Sequence, residues 1–350
     1  MRKVDLKKWV WSRYQALPRA LQGLPVLVAV SGGMDSSVLA AVSLELRERL
    51  PSLVWAHVNY RLRVPDSDRE EASLRAWAMR EGVPLRVRGL RPKQKPSNLQ
   101  AWARGQRLDF FRSVAARLGG QGALLWMAHH QSDQAETILS RLLRGSGLKG
   151  IAGMDLLEQV EGLWIFRPFL EVPQAALRLY AQSHRLVFHH DRSNDTLDYL
   201  RNRIRHRLLP LMAEENPRIL ETLSQLGGRS REAAEALDGW AEAWLRRVAD
   251  PGRGLPRQLS ANSLRRQAPA LRAAILERWL ASVAGSRQSL GKILPALLQT
   301  IAHAKNQELP LKGGLRVSIS PLWLRIGPRP AKPGKGRGGP AKSRRKAQKS

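Results

Sequence analysis

Residues 26–40 read VLVAVSGGMDSSVLA, and the fold turns on how this stretch is parsed. The apolar run Val26–Val30 has the near-continuous hydrophobicity of a strand covered on both faces. Ser31, Gly32 and Gly33 break the run, and a helical pattern begins near Met34 and Asp35. A strand, a glycine turn and a helix in that order put free backbone N–H groups and the positive end of the helix dipole at the turn, where they favour an anion. Gly32 and Gly33 lack Cβ atoms, so phosphate oxygens can approach the backbone. Ser31, Ser36 and Ser37 add hydroxyl donors. The loop lacks the Gly-Lys-Ser/Thr ending of a Walker A, and it is not a G-x-G-x-x-G fingerprint. With no lysine in the loop, phosphate charge must be met by a metal or by arginines from elsewhere. Asp35 is placed to hold Mg²⁺ beside the phosphates.

Outward from this unit, strand-like and helix-like runs alternate. Strands are predicted at Val26–Val30, Leu53–Tyr60, Leu85–Leu90 and Ala123–Ala128, and helices at Asp35–Leu50, Asp68–Glu81, Asn98–Leu118 and Asp133–Leu143. Such alternation implies βαβ units, and hence an α/β fold with a doubly wound parallel sheet. A strand in LWIFRPF and a helix from Pro173 to Arg185 close this part of the chain. A basic amphipathic helix is predicted within residues 1–23, ahead of a catalytic domain over 24–212. Residues 213–328 read as a mostly helical domain ending in a β-hairpin, LKGGLRVSISPLWLRIG. Residues 329–350 contain no acidic residue and read as a disordered basic tail.

The chain has 350 residues, with 59 Lys plus Arg against 29 Asp plus Glu, a formal charge of +30. The excess runs along the whole chain and points to a polyanionic partner, nucleic acid first and an anionic membrane surface second. The cysteine count of 0 removes disulfides, thiolate metal sites and cysteine nucleophiles together. No apolar h-region and no membrane-length apolar run are present, so the expectation is a cytoplasmic protein without a membrane partner. Nothing in the sequence sets an oligomeric state, and a homodimer stays open.

Two downstream segments carry further chemistry. In MAHHQSDQAETILSRLLRGSGLKGIAGM (127–154), His129 and His130 end a strand at its carboxyl edge, where open α/β sheets bind ligands. Asp133 and Glu136 then lie three apart on one helix face. They suit Mg²⁺ or a ligand ammonium, although acidic residues also favour a helix N-terminus in any case. In HDRSNDTLDYLRNRIRHRLLPLM (190–212), Asp191, Ser193 and Asn194 form a turn before a helix carrying Arg201, Asn202, Arg203, Arg205 and Arg207. Arg201 with Arg205, and Arg203 with Arg207, make two stripes that suit phosphates of ATP or RNA.

SGGMDSS resembles the PP-loop of the N-type ATP pyrophosphatases, a superfamily that splits ATP to AMP and pyrophosphate and passes AMP to a substrate oxygen. The two downstream segments resemble signatures of the tRNA(Ile)-lysidine synthetase family within it. The resemblance implies an adenine nucleotide alpha hydrolase-like fold and a ligase forming a C–N bond. By that resemblance, ATP adenylates the carbonyl oxygen on carbon 2 of the wobble cytidine in a CAU anticodon of tRNA(Ile), and free L-lysine displaces AMP to make lysidine. Carried over residue by residue, the loop Ser31–Ser37, with Gly32, Gly33, Met34 and Asp35, grips pyrophosphate. Asp35 and Asp133 are the metal candidates. Asp35, Asp133, Glu136, His129 and Arg205 are the catalytic candidates, and Arg201, Asn202, Arg203 and Arg207 the tRNA-binding ones. Arg104, in SNLQAWARGQRLDFF (97–111), is carried over as a contact to the nucleotide or the lysine. Which carboxylate takes metal and which takes amine stays open, as does whether His129 moves a proton or positions the nucleotide. The chain departs from the family at Ser132, where an Asp is usual and where Ser could instead cap the helix, at Tyr60 and Arg61 in place of His-Gly, and at Gln100 and Leu108. A thiolase of the superfamily would need paired cysteines, which this chain lacks. Small-molecule synthetases of the superfamily explain neither the charge nor the arginine helix. An RNA-binding protein with a degenerate loop is the rival from another class.

Overall fold

The computed structural model describes residues 4–61, 65–90, 99–189, 197, 199–249, 255–284, 293–303, 306–311 and 314–328. The Asp191–Asn194 turn, Asn98 and the tail 329–350 lie outside the described residues. The chain divides into two compact units, Met1–Glu232 and Ala233–Ser350.

The first unit opens with α1 (Leu6–Gln15), capped by the Asp5 side chain on Lys8 N, and the short α2 (Arg19–Gln22). A single basic helix was expected here. Pro18, which lacks an N–H, separates the two pieces. Leu6, Val10 and Tyr14 of α1 are buried in the same core as the sheet. Next come β1 (Val26–Ala29), α3 (Met34–Glu45), β2 (Leu53–Asn59), α4 (Asp66–Arg80), β3 (Leu85–Gly89), α5 (Leu99–Leu118), β4 (Leu124–Trp126) and α6 (Gln131–Leu142). After them follow α7 (Leu148–Ile151), β5 (Leu157–Val160), β6 (Leu163–Phe166) and α8 (Gln174–Ser183). The unit ends with α9 (Leu200–Arg203), a π-helical turn at Ile204–Leu208, α10 (Leu209–Glu215) and the start of α11 (Ile219–Arg247).

The strands form one sheet in the order β3-β2-β1-β4-β6-β5. All pairs are parallel except the edge pair β5–β6, which is antiparallel. The register Val26↔Leu53 and Val26↔Leu124 places β1 between β2 and β4. Successive β1 residues serve opposite cores: Val26 and Val28 pack with Trp55, Trp126 and Phe166, whereas Leu27 packs with Val54, Phe111, Leu125 and Ile165. Both faces are covered by helices, as a parallel sheet requires. The strand order reverses at β1/β4, which makes the crevice beyond the carboxyl ends of these two strands the default ligand site.

The second unit holds the rest of α11, β7 (Gln258–Ser260), α12 (Ala261–Arg265), α13 (Pro269–Ala284), α14 (Ile293–Ala302), β8 (Gln307–Pro310), β9 (Leu315–Ile319) and β10 (Trp323–Pro328). The expected terminal hairpin is β9–β10. It lies within a four-stranded antiparallel sheet, β7-β10-β9-β8, whose outer strands are too short and polar to stand out in the sequence. Trp279, Leu280, Leu297, Val317 and Leu324 form its core.

Candidate active site

The turn after β1 is held from within. Ser36, nearly buried, accepts from Ser31 N at 3.0 Å and donates to Gly33 O at 3.0 Å, and its Oγ lies 3.0 Å from Ser31 Oγ. Gly32 has φ +90, a conformation that side chains other than glycine strain to adopt. Gly33 caps α3 with no side-chain hydrogen bond, which leaves first-turn N–H groups of the helix without a side-chain acceptor. Ser37 Oγ and Asp35 Oδ1 are buried without a hydrogen-bond partner. Buried polar atoms in folded proteins are nearly always paired, so these two mark a place built for something else.

The turn after β4 faces this loop. His130 caps α6: its Nδ1 accepts from Ser132 N at 3.2 Å, and Asp133 Oδ2 accepts from His130 N at 3.0 Å. Ser132 therefore sits inside the first turn and is not the cap. His130 Nε2 stands 3.5 Å from Asp35 Oδ2 and 3.4 Å from Asp133 Oδ2. Burial opposes charge on His130, but the hydrogen bond to Asp35 and the two carboxylates outweigh it and raise the imidazole above its ordinary range. His129 behaves oppositely. Burial pushes it down to about 3, so it is neutral at any ordinary pH. Its Nδ1 accepts from Arg167 Nε at 3.3 Å. Arg167, only 3 % exposed, also reaches Asp155 O and Glu158, and nothing in the sequence pattern singled it out.

Asp133 and Glu136 share a face of α6, and their partners come from the arginine helix. Arg201 bonds Glu136 Oε2 at 2.5 Å through Nε and Asp133 Oδ1 at 2.6 Å through Nη2. Arg205 bonds Glu136 Oε1 at 2.5 Å and Asp133 Oδ1 at 3.4 Å. Glu136 is 0 % exposed. Burial would raise Asp133, but His130 and Arg201 hold its carboxyl down at about 2. The two expected basic stripes thus part ways: Arg201 and Arg205 pair with the carboxylates of α6, while exposed Arg203 and Arg207 do not join them, and Arg203 bonds Leu197 O. Asn202 is buried. Gln134 ties the segment together, bonding Met154 N at 2.7 Å and Met154 O at 3.0 Å.

These elements enclose a cleft of about 970 Å³, within the range of small-molecule sites. Its lining includes the loop Ser31–Ser36, His129, Ser132, Glu136, Arg205 and Tyr60. Arg107 also lines it, and the carried-over Arg104 does not. Tyr60, which stands where the family has His, donates to Ala103 O at 3.0 Å and so ties β2 to α5. Arg61 has φ +49, which explains why glycine suits that position. Among the described residues, no group of three or more histidine, aspartate or glutamate side chains is arranged to hold a metal ion by itself. Asp133 and Glu136 have their oxygens engaged. Asp35 Oδ1 is the carboxylate oxygen with coordination to spare, so a divalent cation fits there better than at Asp133.

Comparison with known proteins agrees with this geometry. Residues 8–212 match the family described as the PP-loop domain. The chain is 35% identical over 227 residues to the tRNA(Ile)-lysidine synthase of Enterococcus faecalis, covering 65% of this chain and 48% of that protein. It is 36% identical over 262 residues to the tRNA(Ile)-lysidine synthase of Pseudomonas aeruginosa, covering 72% and 58%. The chain thus spans about half the length of the curated relatives it matches. Among solved structures, the U34-tRNA thiolase NcsA of Methanococcus maripaludis superposes with a TM-score of 0.53 at 16% identity, over 64% of this chain and 77% of that one, a likeness of fold. No helix among the described residues is long and apolar enough to cross a membrane. With its glycine turn at the β1/β4 switch point and a family match running from α1 through the arginine helix, the chain belongs to the PP-loop domain family.

Proposed function

We propose that this protein is a ligase that joins free L-lysine to carbon 2 of the wobble cytidine in the CAU anticodon of tRNA(Ile), using ATP and releasing AMP and pyrophosphate. The observation that carries the reading is the pair of unpartnered buried atoms, Asp35 Oδ1 and Ser37 Oγ, at the glycine turn of a cleft that Glu136 and Arg205 also line. The named relatives and the formal charge of +30 support a tRNA substrate.

In the first step the cytidine O2 attacks the α-phosphorus of ATP and pyrophosphate departs. The backbone N–H groups opening α3, with Ser31 and Ser37, hold the departing pyrophosphate. Asp35 would hold Mg²⁺, which supplies positive charge against the phosphates. Arg201 and Arg205 exchange their carboxylates for the developing phosphate charge. In the second step the ε-amine of lysine attacks carbon 2, the bond from carbon 2 to O2 breaks so that AMP departs with that oxygen, and the proton the amine sheds passes to the departing AMP phosphate. Asp133 and Glu136, relieved of the arginines, face the incoming amine. His129, neutral and oriented by Arg167, positions the nucleotide and is too weak a base to take the amine proton. Exposed Arg203 and Arg207 meet tRNA phosphates. The basic tail adds sequence-independent affinity.

Incubation of the full chain with ATP, Mg²⁺, labelled lysine and unmodified tRNA bearing CAU tests the reading. Label is expected in the RNA, and it is expected to depend on both ATP and the CAU anticodon. Release of AMP and pyrophosphate without labelled RNA would instead place the protein among other PP-loop synthetases.

A further inference from the structure

The helix α8 presents three different faces. Ala176, Leu177 and Ala181 are buried in the core, and Tyr180 donates to Glu45. The remaining stripe is Gln174, Arg178 and Gln182, at i, i+4 and i+8, and all three line the same cleft as the glycine turn. None of the three side chains makes an ion pair or hydrogen bond among the described residues. The segment after α8 adds two more groups to this wall. His189 N donates to Gly32 O at 2.9 Å, which ties the segment to the turn. Its neighbour Phe188 lines the cleft while 41% exposed, an unusual position for a large aromatic ring. His189 Nε2 is buried and has no hydrogen-bond partner. None of these five residues belongs to the motifs that placed the reaction.

Resting on the ligase reading above, we infer that Gln174, Arg178 and Gln182, with Phe188 and His189, hold an unpaired RNA base that flanks the reacting cytidine. The chemistry selects a base over a phosphate. Carboxamides both donate and accept, as base edges require, and a phosphate offers only acceptors. A single arginine among two amides is a weak anion site but a good planar surface for a base. An exposed phenyl ring suits stacking, which is how proteins hold splayed-out single-stranded bases. A cytidine brought to the α-phosphorus of ATP in this cleft carries its two neighbours with it, and the wall lines the same cleft.

The test uses the full chain and a CAU anticodon stem-loop RNA, with affinity read by filter binding. Two further stem-loops each lack one base beside the cytidine. Phe188→Ala is expected to raise Kd about tenfold, the effect of one lost base stack. Removal of the held base should raise the Kd of the wild type to a similar extent and leave Phe188→Ala unaffected, since each change removes the same contact. Gln182→Ala should show the same coupling to a lesser degree. Additive losses from protein and RNA changes would overturn the inference, as would a wild type indifferent to both abasic stem-loops. So would an effect confined to Arg178→Ala that appears only as a flatter salt dependence, because that pattern belongs to a phosphate contact. Ligation of lysine by the wild type is measured in parallel. A wild type that ligates but shows no coupling defeats this inference alone, and one that binds the stem-loop with coupling but does not ligate defeats the ligase reading alone.

Discussion

The glycine turn Ser31–Ser36 lines one cleft with Glu136 and Arg205, two members of a cluster completed by Asp133 and Arg201, and turn and cluster are built in opposite ways. The turn is held by Ser31, Ser36 and the His189 N–H, and it leaves Asp35 Oδ1 and Ser37 Oγ buried without partners. The cluster satisfies itself: each arginine reaches both carboxylates, and their formal charges cancel. Unpaired buried polar atoms cost stability and persist where a ligand repays them. Paired ones hold a fold together and must be pulled apart before they can act. On the proposed reading the turn serves as the pyrophosphate site, and the cluster, which joins α6 to the arginine helix, is the clasp that substrates open.

This contrast predicts where substitutions strike. Asp35→Asn should lower ligation roughly a hundredfold or more, because it removes the carboxylate that would hold the charge-neutralising Mg²⁺. Its thermal melting should stay close to wild type, because Asp35 has one unpartnered oxygen and only a long 3.5 Å contact to His130 on the other. A large fall in melting temperature without a fall in activity would reverse the roles of the two regions. Glu136→Gln, unlike Asp35→Asn, should destabilise the fold as well as lower ligation. A fully buried broken pair costs about 3–5 kcal/mol, and here about 2 kcal/mol is expected because Arg201 and Arg205 can reach water. Denaturant melts at neutral pH would check this.

Acid should separate the two regions further. His129 falls from an ordinary 6.5 to about 3 on folding, so the folded state disfavours its protonation. The corresponding stability is complete above pH 6.5 and is lost as pH falls from 6.5 towards 3. Melts at pH 7 and pH 4.5 should show that loss, and His129→Asn should reduce it. An unchanged acid slope in the variant would mean that His129 is not buried as a neutral ring. The smallest effect is expected at Arg61, which has left-handed φ and only a long pair with Asp68. Arg61→Gly should raise stability by up to about 1 kcal/mol, through relief of that backbone strain.

Much of the first unit was legible because its signals are local. The apolar run Val26–Val30, the glycine turn and the following helix are contiguous, and the βαβ alternation follows from hydrophobic runs that need no distant partner. His129, Asp133 and Glu136 could be placed at a strand end and on one helix face from spacing alone. Their partners could not. Arg201 and Arg205 lie 65–72 residues from the carboxylates they bind, and helical spacing tells which residues share a face without telling what that face meets. The same limit hid Arg167 behind His129, and it hid the α8 stripe, whose glutamines look like any solvated helix face until the cleft closes around them. It also explains β5, β7 and β8, short strands with polar residues that are ordered by the strands beside them.

The most direct measurement follows labelled lysine and labelled ATP together in one reaction with full-length protein, Mg²⁺ and unmodified CAU-bearing tRNA. The account predicts one lysine entering the RNA for each AMP released, at a rate lowered roughly a hundredfold or more in Asp35→Asn. Lysine incorporation that proceeds at the wild-type rate in Asp35→Asn would contradict it, and so would AMP release that never leads to labelled RNA.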